Sequence, residues 1–234
     1  MFLSGIQPCT LLDYPDTVAC IAFTPGCQFR CGYCHNPEFV LPQLLKEIKQ
    51  SFIPEDVFFR FLEQRKGKLD GVVVTGGEPT IHADLIPFLR RIKVMGFCVK
   101  LDTNGNKPEV ITQAIQEKLV DYIAMDVKTS LGEYKKLVGE RASETALAHS
   151  MEVIKNSGVD YEFRSTLIKE IHTPDILAGM ATLLTGAKKL YIQHFRPGTT
   201  LNPLFQSFHP FSKEETNEIV ALFQREVQQV LVRE

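Results

Sequence analysis

The segment 27–36, CQFRCGYCHN, concentrates soft metal ligands. Cys27, Cys31 and Cys34 are spaced C-x3-C-x2-C, and three thiolates on so short a loop suit the irons of a cuboidal iron–sulfur cluster. Such a cluster normally takes four ligands. Three leave one iron open to an exogenous group, and an open coordination position marks chemistry rather than structure, as at catalytic zinc. Two other readings share the loop. CGYCH is a literal C-x-x-C-H, the pattern of covalent haem attachment. Counting His35 gives three cysteines and a histidine, a zinc donor set that would make the loop a structural knuckle in a binding protein. The cysteines also fall at i, i+4 and i+7, as on one helix face, but Pro25-Gly26 before them and Gly32 among them disfavour a regular helix.

Four more stretches carry polar residues of a useful kind. In TGGEPT (75–80), Gly76 and Gly77 allow backbone to approach a ligand closely, and Glu78 can accept from an ammonium group. The plain alternative is a Gly-Gly turn ahead of a helix. DTNG (102–105) would make a type I′ hairpin turn if a strand followed, yet a helical pattern follows; Asp102 and Asp126 read instead as rim acids facing a cation or hydroxyls. Lys128 lies two residues after Asp126, on the same side if the strand continues; an ordinary solvated salt bridge is equally open. His194 closes an apolar run beside Phe195.

These stretches need a scaffold, and strand-length apolar runs supply one: TVACIAF (17–23), GVVVT (71–75), FCVKLDT (97–103), DYIAMDV (121–127), DYEFRSTLI (160–168) and KKLYIQHF (188–195). Their near-continuous hydrophobicity predicts buried parallel strands. Helical patterns lie between them: PEDVFFRFLEQRKG, ADLIPFLRRIKVMG, PEVITQAIQEK and SETALAHSMEVIKNSG start with Pro or acidic residues or end at Gly. Ser212 and Glu215 predict a capping box on a last helix running over about 212–233, whose apolar stripe includes Ile219, Val220, Phe223, Val227 and Val230. The alternation predicts right-handed βαβ units in one α/β domain over residues 1–234, with a cysteine loop at about 25–38. Six strands are too few for a complete eight-fold barrel of ~250 residues, so the expectation is a partial, open (β/α)6 TIM-like barrel with parallel strands, with a doubly wound open sheet as the alternative. Both architectures place ligands at the carboxyl ends of the strands. All five polar stretches fall there, whereas the opposite connections (KGKLDG, MG, KLV, NSG, TGA) are bland.

Composition narrows the class. With 44% apolar and 23% charged residues in 234, the chain is ordinary globular material, and roughly 70% of the unfolded surface can be buried at this size. A net charge of −2 gives no general attraction to nucleic acid or anionic lipid. No run approaches the ~18 apolar residues of a membrane helix, and the first residues lack the basic region of a signal peptide. The cytoplasm is the default location. Thiols stay reduced there, so six cysteines do not predict three disulfides.

Together, C-x3-C-x2-C with Tyr33 before the last cysteine and the Gly76-Gly77-Glu78 element resemble the radical S-adenosylmethionine (SAM) superfamily. CHNPE (34–38), LDTNG (101–105), MDVK (125–128) and the lead-in TLLDYPDTVACIAFTPGC resemble its glycyl-radical-enzyme activating enzymes. LLDYP and YCHNPE look closest to the anaerobic ribonucleoside-triphosphate reductase activating proteins. The resemblance implies one 4Fe–4S cluster on Cys27, Cys31 and Cys34, with SAM chelating the remaining iron. It implies that Gly76, Gly77 and Glu78 hold the methionine ammonium, and that Asp102, Thr103, Asp126 and Lys128 contact the cofactor and a monovalent cation. Arg164 and His194 would lie near the cofactor, His194 by the nucleoside. Reductive cleavage to a 5′-deoxyadenosyl radical would then take a hydrogen from a glycine of a partner enzyme, with flavodoxin or ferredoxin as electron donor. Residues 35–70 contain no cysteine, which excludes the ferredoxin-like insert of some relatives. The alternatives are a pyruvate formate-lyase-type activating enzyme, and a small-molecule enzyme such as carboxy-deazaguanine synthase.

Overall fold

The computed structural model describes residues 1–233, which form two compact units. The first comprises residues 1–28, 37–103 and 109–123, and the second takes the rest.

In the first unit the elements run β1 (Phe2–Leu3), β2 (Gly5–Thr10), β3 (Ala19–Thr24), α1 (Pro42–Ile48), β4 (Ile53–Pro54), α2 (Glu55–Arg65), β5 (Gly71–Gly76), α3 (Leu85–Val94), β6 (Cys98–Thr103) and most of α4 (Pro108–Gln116). β1 and β4 form a small antiparallel pair. The larger order is β2-β3-β5-β6, in which β2 runs antiparallel to β3 and the others are parallel. Continuous apolar sequence makes β5 a strand covered on both faces: Val72, Val73 and Val74 are at most 1% exposed. Leu85, Phe88, Leu89 and Ile92 fall at helical spacing on α3 and are fully buried. Each such side chain contributes about 1.5–3 kcal/mol through burial.

β7 (Tyr122–Asp126) crosses from the first unit into the second. The second continues with α5 (Tyr134–Val138), α6 (Glu144–Lys155), β8 (Asp160–Leu167), α7 (Pro174–Leu183), β9 (Lys189–His194), α8 (Lys213–Phe223) and β10 (Gln229–Arg233). β8, β9 and β10 are neighbours and parallel. Ser143 and Thr173 accept from backbone N–H groups at the starts of α6 and α7. The Ser212–Glu215 capping box forms as the sequence predicts.

The expected α/β class with parallel strands is what the structure has, and all six expected strands are present. The C-terminal helix needs correction. It does not run over 212–233: α8 ends at Phe223, and residues 229–233 form β10, in register with β9 from Gln229↔Lys189 to Arg233↔Gln193. Val227 and Val230 continue the helical apolar spacing, but VLV is β-favouring sequence, and an open parallel neighbour satisfies its backbone. Among the described residues, no helix is long and apolar enough to cross a membrane.

Candidate active site

The cysteine segment is a loop. Residues 25–36 hold no helix, so the helical-face reading of the three thiols fails; none of the three is in a disulfide. Its later part, in the second unit, is held by backbone. Arg30 N–H donates to the Val138 carbonyl at 2.7 Å, and the carbonyls of Gly32 and Cys34 accept from Asn202 and Leu201, each at 2.9 Å. A Cβ on Gly32 would lie 2.2 Å from the Phe205 ring. Only glycine admits that ring here. Burial pushes the Cys31 thiol up to about 11; nearby Lys128 opposes this, and Cys34 and Asp126 add to it.

In the first unit, the turn after β5 is locked to the start of the same loop. Gly77 N–H donates to the Thr24 carbonyl at 2.7 Å, and Glu78 N–H to the Gly26 carbonyl at 2.8 Å. Gly76 has φ +117°, and a Cβ on Gly77 would sit 2.0 Å from Gly26 O. Close backbone packing thus accounts for both glycines. Glu78 is 1% exposed; its Oε1 accepts from Thr80 N–H (3.1 Å), Thr80 Oγ1 (2.5 Å) and Thr103 Oγ1 (2.7 Å). Asp102 at the end of β6 meets an ammonium supplied by the chain itself: Lys100 Nζ is 2.6 Å from its Oδ1.

The second unit holds a different group. Asp126 Oδ1 accepts from Arg164 Nε at 2.9 Å and Oδ2 from Lys128 Nζ at 3.1 Å. Burial works to raise the Asp126 carboxyl, but Arg164 and Lys128 outweigh it and hold it at about 2. Burial likewise works to lower Lys128, and the Asp126 charge carries it well above the ordinary lysine value. The segment after β7 is fixed by three contacts. Tyr134 Oη accepts from Lys128 N–H at 2.9 Å, Ser165 Oγ donates to Val127 O at 2.7 Å, and His172 Nε2 donates to Lys128 O at 3.0 Å. His172 is neutral in this role, since Nδ1 accepts from Ile168 N–H at 2.9 Å and burial lowers its pKa. Tyr33, before the last cysteine, is 8% exposed with its ring 6.0 Å from Lys128 Nζ.

The structure therefore brings Glu78 and Thr103 together, and separately Asp126, Lys128 and Arg164. His194 belongs to neither group; it lines a cavity at the ends of β8–β10 with His35, Thr166, Gln193, Arg196 and Arg233. Thr80, Lys100, Tyr134 and His172 escape the sequence reading. Lys100 had a usable signal, since it stands two residues from Asp102 just as Lys128 does from Asp126. His172 had none, because its partners are backbone groups.

A mostly parallel α/β fold with charged and polar side chains at the carboxyl ends of its strands has them where such sheets bind their ligands. The model of the radical SAM superfamily matches residues 21–176, and the chain belongs to that superfamily. Membership implies a 4Fe–4S cluster and SAM. A Methanocaldococcus jannaschii protein, provisionally named a glycyl-radical enzyme activating enzyme, is 30% identical over 99% of this chain and 95% of its own. The pyruvate formate-lyase-activating enzyme of Streptococcus mutans is 31% identical over 55% of this chain and 51% of its own. Among solved structures, QueE from Escherichia coli covers 99% of this chain and 93% of its own at TM-score 0.56 and 15% identity, a likeness of fold. The residues fit the implied groups by donor type: three thiols, none in a disulfide and one short of a full ligand set, follow a strand, although among the described residues no group of three or more His, Cys, Asp or Glu side chains is arranged to hold a metal ion, and a glycine pair that no Cβ could replace places buried Glu78.

Proposed function

We propose that this chain is an activating enzyme that introduces a glycyl radical into a partner protein. The observation that carries the reading is the end-to-end likeness to the M. jannaschii protein, over 99% of one chain and 95% of the other. In this reading the chain works as a single catalytic domain, with Cys27, Cys31 and Cys34 holding one 4Fe–4S cluster. Together with SAM the reduced cluster supplies hydrogen-abstracting radical chemistry. The protein's own residues bind and orient. Glu78, fixed by Thr80 and Thr103, accepts from the methionine ammonium. Gly76 and Gly77 set the turn that aims it. Lys128 and Arg164 keep Asp126 ionised beside the cysteine loop, and Asp102 and His194 complete the cofactor contacts. The positive charge at both aspartates comes from Lys100, Lys128 and Arg164, which does the work assigned to a monovalent cation.

The first candidate partner is anaerobic ribonucleoside-triphosphate reductase, on the strength of LLDYP and YCHNPE; pyruvate formate-lyase is the second, on the strength of the S. mutans likeness. Flavodoxin or ferredoxin supplies the electron, and the reaction is placed in the cytoplasm. Anaerobic co-expression with each candidate, read by electron paramagnetic resonance, tests this: a glycyl radical on one partner is expected. Formation of 5′-deoxyadenosine with no radical on any partner would sink the protein-substrate reading. Zinc without sulfide in the purified protein would sink the radical reading altogether. Cys31→Ala is expected to abolish iron binding and Cys98→Ala to leave it unchanged.

A further inference from the structure

The carboxyl ends of β8, β9 and β10 enclose a cavity of about 240 Å3 lined by His35, Thr166, Gln193, His194, Arg196 and Arg233. Three of these form one row: Thr166 and Arg233 each stand opposite Gln193 in the parallel register. Thr166 Oγ1 donates to Gln193 Oε1 at 3.3 Å. Side chains two apart on a strand share a face, so Arg164, with its guanidinium on Asp126, lies on the face that carries Thr166. His35 enters the lining from the residue directly after Cys34. Its Nδ1 donates to Thr199 O at 3.1 Å, and its ring stacks 6.2 Å from Phe195. A group held here is one residue from a thiol of the cysteine loop.

Among the described residues, no carboxylate lines the cavity. Arg233 is committed, since it donates to the buried Glu162 at 3.2 Å and stacks 3.7 Å over Tyr191. Arg196 is exposed, and no described hydrogen bond or ion pair uses it. Among the described residues, guanidinium, imidazole, amide and hydroxyl groups converge here without an acid. That donor set suits a planar anion, and an uncommitted guanidinium recognises a carboxylate through two parallel N–H···O bonds.

We propose that this cavity, with the cofactor-facing His194 as one wall, binds a carboxylate of the substrate beside the cofactor, with Arg196 as its principal ligand. On the activating-enzyme reading, on which this rests, the carboxylate is an acidic side chain beside the target glycine of the partner polypeptide. A free small-molecule acid is the other source of the same chemistry.

The test uses protein reconstituted anaerobically with iron, sulfide and SAM, and three probes: a glycine-centred octapeptide with one aspartate, its asparagine counterpart, and succinate. The aspartate peptide is expected to bind about tenfold more tightly than the asparagine peptide. Arg196→Gln is expected to bring the two within about twofold, and Arg196→Lys to keep part of the preference, as a charge without the fork does. Succinate binding that Arg196→Gln abolishes, with no preference between peptides, would support the carboxylate site while overturning its protein source. Equal binding of the two peptides with no succinate binding overturns the site. So does a loss of SAM affinity in Arg196→Gln, which would give the cavity to the cofactor. The two readings fail separately: a glycyl radical whose yield and substrate KM ignore Arg196 leaves the function standing and the cavity without its role.

Discussion

Two lysine–aspartate pairs of mirrored sequence stand at the ends of neighbouring runs, Lys100-Leu101-Asp102 in β6 and Asp126-Val127-Lys128 starting at the last residue of β7. Their spacing is the same and their depths differ. Lys100 Nζ lies 2.6 Å from Asp102 Oδ1, with side chains 1% and 11% exposed. Asp126 is 33% exposed and shared between Lys128 and Arg164. Two residues of period-2 spacing guarantee a shared face but say nothing about depth, and depth decides the energetics. A deep pair whose partner is removed leaves an uncompensated buried charge. A pair near water is screened and keeps its carboxylate accessible to a third group.

The largest expected effect breaks the deep pair. Lys100→Met is expected to cost about 3–5 kcal/mol of unfolding free energy, measured by urea denaturation of the cluster-free protein. Pairing it with Asp102→Leu is expected to restore most of that loss. Lys128→Met is expected to cost no more than about 1 kcal/mol. Equal losses in the two lysine variants would erase the contrast. Next comes the backbone lock on the deep side. Gly77→Ala drives a Cβ to 2.0 Å from Gly26 O and is expected to cost about 1–3 kcal/mol, whereas Gly132→Ala, with nothing within 4 Å, is expected to stay within about 0.5 kcal/mol.

The open pair is sharpened by pH. A carboxyl held below its unfolded value of about 3.9 contributes stability that is present above that value and lost as pH falls through its folded value. For Asp126 the folded value is about 2, so the stability difference between the native chain and Asp126→Asn is expected to be level above about pH 5. It should shrink between about pH 4 and 2, by on the order of 1 kcal/mol because the group is a third exposed. A difference that instead grows on acidification would show the aspartate to be uncompensated. The smallest effect concerns cations. Replacing potassium with a bulky organic cation at constant ionic strength is expected to change SAM affinity by less than about twofold, since ammonium and guanidinium groups already sit on both aspartates.

The parallel strands were legible because burial on both faces forces unbroken apolar runs, and GVVVT or DYIAMDV can hardly be anything else in a chain this size. β2 was not, since GIQPCT carries Gly and Pro and leaves residues 7–9 exposed; it is a strand because β3 offers its edge. β10 was masked by the apolar spacing of α8, which continues through Val227 and Val230 after the helix itself has stopped. At the site, Asp126 with Lys128 and Glu78 with its glycines could be read from types and spacing. Thr80 on Glu78 and His172 on Lys128 could not, because hydroxyl-to-carboxylate and imidazole-to-carbonyl bonds depend on where distant backbone comes to rest.

The carbonyls of Gly32 and Cys34 take their partners from Leu201 and Asn202, and Phe205 closes over Gly32. The loop is written near the beginning of the message and finished near its end. Because a chain emerges amino terminus first, a nascent polypeptide carries these thiols without their last backbone partners for most of its synthesis. The bracing at Gly32 and Cys34 is complete only once residues 201–205 have been made, and a chain cut short before Leu201 carries every cysteine without these partners.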